Sequence, residues 1–131
     1  MSKYLFEGNF NNKVSTIKVQ LLLIHFKDEA EVHFIYSPHL DLTGYGNSIE
    51  DAKYSFEIAL EDFIDYTLKK KTMGKVLKSL GWSIKGTVKR PKNVVAPSIT
   101  TVIGKNEYVS EIFDKYPVDT FHKEVGLPAY A

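Results

Sequence analysis

The chain has 131 residues, 25% of them charged and 44% hydrophobic, the range of one ordinary soluble domain with a single core. Its 17 Lys+Arg against 16 Asp+Glu leave a formal charge of +1, which excludes binding that rests on an overall basic surface. The absence of cysteine excludes disulfide frameworks, thiolate zinc sites and a cysteine nucleophile.

Residues 13–26 combine β-branched and apolar side chains, and the alternation puts Ile17, Val19, Leu21 and Leu23 on one face and Leu22, Ile24 and Phe26 on the other. A long strand buried on both sides near its end is expected. Lys27-Asp28-Glu29-Ala30 is a charged reversal into residues 31–36, so the two segments read as an antiparallel hairpin. Phe34 and Tyr36 share a face with Val32, and the expected use of that face is packing on the helix that follows. Pro38 interrupts the pattern, Leu40 and Leu42 suggest a short third strand, and Gly44-Tyr45-Gly46 reads as a sharp turn that leaves Tyr45 the freer ring.

Ser48 is suited to cap a helix, with Glu50 and Asp51 in the first turn where the helix dipole favours anions. Ile49, Ala52, Phe56, Ala59, Leu60 and Phe63 recur at helical spacing, leaving the other face acidic. A short second helix is expected, capped by Thr72, with Met73, Val76, Leu77 and Leu80 as its stripe and Gly81 as its terminator. Trp82 follows, covering an apolar edge, and residues 82–85 begin a fourth strand. Beyond Pro91 the pattern weakens until residues 106–115, where Tyr108, Val109, Ile112 and Phe113 suggest a short helix ended by Pro117. Phe121, Val125 and Leu127 hint at a last strand, although Lys123 breaks its alternation.

The expected fold is α+β: a three-to-four-stranded, mostly antiparallel sheet packed on one main helix in β-β-β-α-β order, with a short second helix. Residues 1–90 form that domain, and 91–131 form an extension docked on it. A start without a signal-like apolar core, and a longest apolar run of only residues 19–26, give the expectation of a cytoplasmic protein with no membrane partner.

The near-neutral total hides a sharp division. Residues 48–66 hold six acids against Lys53, whereas residues 69–92 hold nine Lys or Arg and no acid. An acidic helix face can recognise a basic partner, and a lysine-rich stretch can contact phosphates. Catalytic patterns are missing: His25, His33, His39 and His122 form neither HxH nor HExxH, and no phosphate-cradling or nucleophile-elbow motif occurs. His25 and His33 could be neighbours across the hairpin, and two ordinary sheet histidines are the expectation there. His39 lies beside Asp41 in a turn without a nucleophile at a definable spacing.

Residues 34–52, FIYSPHLDLTGYGNSIEDA, arriving after a hairpin and leading into a helix, resemble the HicB-like antitoxin family. Gly46, Ser48, Glu50 and Ala52 match that family's Gly-x-Thr/Ser-x-Glu-x-Ala start of the helix, and Pro38 and Leu40 match its preceding Pro-x-Leu segment. The Pro-Gly-Cys of many relatives is replaced by Asp41-Leu42-Thr43. The resemblance spans about residues 13–88 and implies a partial RNase H-like fold. It further implies a non-enzymatic protein without cofactor or metal, which neutralises a small basic HicA-like RNA-cleaving toxin by covering its active site and which assembles as a homo-oligomer. The expected partner-binding residues are Glu57, Glu61, Asp62 and Asp65. The first alternative is a nucleic-acid-binding or orphan regulatory module that uses the basic stretch of residues 69–92, with Lys69, Lys70, Lys71, Lys75 and Lys78 as its contacts, and the second is a carboxylate-dependent nuclease of RNase H-like descent. Residues 91–131 show neither the helix-turn-helix nor the ribbon-helix-helix pattern of a DNA-binding module.

Overall fold

The computed structural model describes residues 16–86 and 91–128; residues 13–15 of the expected first strand, and Lys89 and Arg90 of the basic stretch, lie outside them. In chain order the elements are β1 (Thr16–Lys27), β2 (His33–Ser37), β3 (Leu42–Gly46), α1 (Ile49–Lys70), α2 (Met73–Ser79), β4 (Ser83–Gly86), β5 (Pro91–Val95), α3 (Ile99–Lys105), α4 (Glu107–Lys115) and β6 (Val118–Pro128). The fold is α+β, with one antiparallel four-stranded sheet in the order β3-β2-β1-β6. Among the described residues no helix is long and apolar enough to cross a membrane.

β1 organises the molecule because both of its faces are apolar. Val19, Leu21 and Leu23 join Ile35, Phe56, Leu60 and Ile64 in a core beneath α1. Leu22, Ile24 and Phe26 join Tyr36, Val109 and Ile112 in a second core beneath α3 and α4. The sheet is therefore covered on both faces, and the double-sided burial expected for the end of the first strand is observed.

Three expectations are corrected by this arrangement. Phe34 and Tyr36 pack in the second core, with Phe26 and Phe34 rings 5.1 Å apart, and so face the C-terminal helices instead of α1. Residues 83–86 pair with β5 in a separate two-stranded sheet, while the fourth strand of the main sheet is β6, in register with β1 from Thr16↔Pro128 to Phe26↔Val118. Residues 118–128 thus contribute an edge of the sheet whose other described strands come from residues 16–46. Gly44 and Gly46 lie inside β3, and the reversal before it is made by residues 37–41, with Asp41 in the left-handed region at φ 56°.

The glycines serve contact with α1. A Cβ on Gly44 would meet the backbone of Phe56 and stand 2.6 Å from the Ala52 carbonyl oxygen, and one on Gly46 would stand 2.5 Å from Asp51 Cβ. The strand can approach the helix backbone only because both side chains are missing. Ser48 caps α1 as expected, accepting a hydrogen bond from the Asp51 amide at 3.1 Å. Ile64 and Thr67 extend the buried stripe of α1 beyond Phe63. Thr72 precedes α2 but makes no side-chain cap, and Gly81 follows it at φ 93°. Trp82 is buried, its Nε1–H donating to the His39 carbonyl at 2.9 Å.

Candidate functional site

The four acids expected to bind a partner do not form one face. Glu57 points toward the sheet edge and is ion-paired with Lys123 of β6; the two side chains are only 23% and 18% exposed. Lys123, which breaks the apolar alternation of β6, is the internal counter-charge of Glu57. Asp62 and Asp65 are exposed, and Asp65 pairs with Lys69 at 3.7 Å one helical turn on. Glu61 is half-buried beside them.

The outer side of α1 has a component that the acid count missed. Tyr54, Ile58 and Tyr66 are 68%, 43% and 63% exposed. Tyr54, Ile58, Glu61 and Asp65 succeed one another at i, i+4, i+7 and i+11, so apolar and acidic groups share one stripe. The signal for it lay in the helical period itself, continued around the helix from the buried side.

Lys69 and Lys70 occupy the last turn of α1, where cations complement the helix dipole, and Lys71 takes the left-handed cap position at φ 57°. Lys75 and Lys78 lie on α2. All five are exposed and lie within one corner of the fold, with Lys70 5.9 Å from the ring centroid of Tyr66.

The histidines resolve into two situations. His25 Nε2 and His33 Nδ1 are 2.9 Å apart, and His25 Nδ1 stands 3.4 Å from Asp119 Oδ2. The rings are 3° from parallel with centroids 5.1 Å apart, nearly the N···N distance plus two ring radii. The imidazoles therefore lie head to tail in one plane. Lone pairs aimed at each other across 2.9 Å enclose a proton and not a metal, whose bonds to imidazole run about 2.0–2.1 Å each. Among the described residues no group of three or more His, Asp or Glu side chains could hold a metal ion. His39, in contrast, is buried, its Nε2–H donating to the Pro97 carbonyl at 2.8 Å, so it does not engage Asp41.

Asp41 belongs to a different cluster, beside a cleft of about 610 Å³ between the β2–β3 turn, the end of α2 and the α3–α4 corner. Tyr36 donates its hydroxyl proton to Asp41 Oδ1 at 2.8 Å, and Asn106 Nδ2–H donates to the same hydroxyl at 3.0 Å. Asn106 is itself fixed as the N-cap of α4, its Oδ1 accepting from the Val109 amide at 3.2 Å. The Tyr36 phenol is pushed up to about 12 by burial, with Asp41 adding to the rise and the Asn106 hydrogen bond opposing it. Tyr108 packs edge-on against Tyr36 at 4.9 Å, and its phenol is raised by burial and by the charges of Tyr116, Glu111 and Asp41.

Compared with models of known protein families, with curated proteins and with solved structures, the chain matches none.

Proposed function

We propose that the protein is a binding module for a small basic protein, which docks on the outer side of α1. The observation that supports this reading is the stripe of Tyr54, Ile58, Glu61 and Asp65, with Asp62 alongside: exposed apolar groups followed along the helix by carboxylates. Apolar side chains supply desolvation energy at the centre of an interface, and charges around them steer and select an oppositely charged partner. The HicB-like stretch at residues 34–52 gives that partner a class, an RNA-cleaving toxin whose active site is covered in the complex. Such inhibition needs complementary shape and charge and no catalytic group on this chain.

The test is recovery of a small basic protein from the native cell, followed by assay of its ribonuclease activity with and without this chain. Wild-type protein is expected to form the complex and suppress cleavage. Reversal of Glu61, Asp62 and Asp65 to Lys, or Tyr54→Ala with Ile58→Ala, is expected to weaken binding at least about tenfold. Glu57 is left intact in these variants because it is paired with Lys123 inside the fold. Salt-sensitive binding to nucleic acid through Lys69, Lys70, Lys71, Lys75 and Lys78, with no protein partner recovered, would overturn the reading.

A further inference from the structure

The cleft beside Asp41 is separate from the outer side of α1, and its walls specify a ligand. Its volume of about 610 Å³ falls in the range of small-molecule sites. The charged side chains that line it are Asp41 and Glu107 against Lys105, so it carries an excess of negative charge. Pro38, Leu80 and Val102 supply apolar wall, and Tyr108, packed edge-on over the buried Tyr36, supplies aromatic surface.

The Asp41 carboxylate is held ready by a directed chain of hydrogen bonds. The Val109 amide donates to Asn106, Asn106 donates to Tyr36, and Tyr36 donates to Asp41 Oδ1. Every donor points toward the carboxylate, so each bond polarises the next and fixes the position of Oδ1. Oδ2 has no hydrogen bond among the described residues, although Asp41 is held at a left-handed backbone angle that few residues other than glycine, asparagine and aspartate adopt. A fixed carboxylate beside the exposed Tyr108 ring is a match for a planar cation, which can pair with the first and lie on the second.

We propose that this cleft binds an alkylguanidinium group, with the cation on Asp41 and the Tyr108 ring and its aliphatic stem along Pro38, Leu80 and Val102. The shared chemistry serves a free metabolite such as an arginine-derived amine or an arginine side chain presented by a protein. The inference does not depend on the docking surface on α1.

Calorimetric titration of the full chain with agmatine, with N-acetylarginine amide and with its neutral isostere N-acetylcitrulline amide tests it. Both cations are expected to bind one to one, and the citrulline compound at least about tenfold more weakly, since it keeps the shape and loses the charge. Asp41→Asn keeps an acceptor for Tyr36 and should cost about tenfold, whereas Lys105→Ala should tighten binding by removing an opposing charge. Tyr108→Leu, at a half-exposed ring, weakens agmatine binding in a variant expected to remain folded. Tighter binding of the tripeptide Ac-Gly-Arg-Gly-NH2 than of agmatine assigns the site to a protein partner, and the reverse order assigns it to a free metabolite. Absence of binding by both cations, equal binding of the citrulline and arginine amides, or an Asp41→Asn affinity equal to wild type overturns the proposal. Lysine reversals on α1 should leave these titrations unchanged, which separates failure of one reading from failure of the other.

Discussion

At the scale of single residues, what a side chain lacks or neutralises proves as informative as what it offers. Gly44 and Gly46 look like turn residues in a linear reading because glycine next to aromatic and polar neighbours marks reversals. They are instead the positions where β3 touches the backbone of α1. Gly44→Ala is therefore expected to destabilise the protein by about 1–3 kcal/mol, since helix backbone cannot yield as a flexible side chain would. Gly104 sits in α3 with nothing within 4 Å of its missing Cβ. Gly104→Ala should stabilise by about 0.5 kcal/mol through helix propensity. Urea unfolding of the two variants checks both signs; equal effects would contradict the geometry. Lys123 follows the same logic. It is an irregularity in the pattern of β6 whose explanation, Glu57, is 66 positions away in sequence and adjacent only after folding. The motif of residues 34–52 pointed to the turn and the capped helix but not to the close contact between strand and helix.

At the scale of elements, period and the cap of the main helix were legible, whereas the side-chain cap expected at Thr72 and the facing of the elements were not. Ser48 and Asn106 begin their helices as their residue types suggest, each accepting from the amide three positions on. The alternation of β2 shows that Phe34 and Tyr36 share a face, but a period of two cannot say which helix that face meets. They meet α4, and the Tyr36 hydroxyl ties the cap of that helix to the turn before β3. This contact gives a pH dependence with a defined sign. The folded phenol ionises near 12, above the value of about 10 for an unfolded tyrosine. Its contribution is fully present below pH 10 and is lost as pH rises through 12, because only the folded state resists ionisation. Tyr36→Phe should be less stable than wild type at neutral pH by about 1 kcal/mol, and that difference should shrink between pH 10 and 12. Denaturant unfolding of the pair across this window decides it, and a constant difference would count against the hydrogen-bonded phenol.

For the whole molecule, the decisive feature is the return of the chain to its beginning. β6 lies along the full length of β1, and Val125 and Leu127 complete the core beneath α1. A chain ending at Pro117 would leave the β1 edge unpaired and that core open. It is expected to lose cooperative thermal unfolding and to aggregate; a soluble, cooperatively unfolding truncation would show that residues 118–128 are dispensable. The sequence by itself determined the α+β class, the hairpin, the capped main helix and the division of charge into an acidic and a basic stretch. Those properties are local, set by periodicity, capping chemistry and composition over a few turns or strands. Only the tertiary structure decided that the C-terminal strand closes the sheet, that Glu57 is spent on Lys123 while Tyr54 and Ile58 stand outside, and that Asp41, Tyr36 and Asn106 meet beside a cleft. Each joins residues far apart in the chain, and such contacts follow from how two apolar faces of one strand are covered at once, which no local pattern encodes.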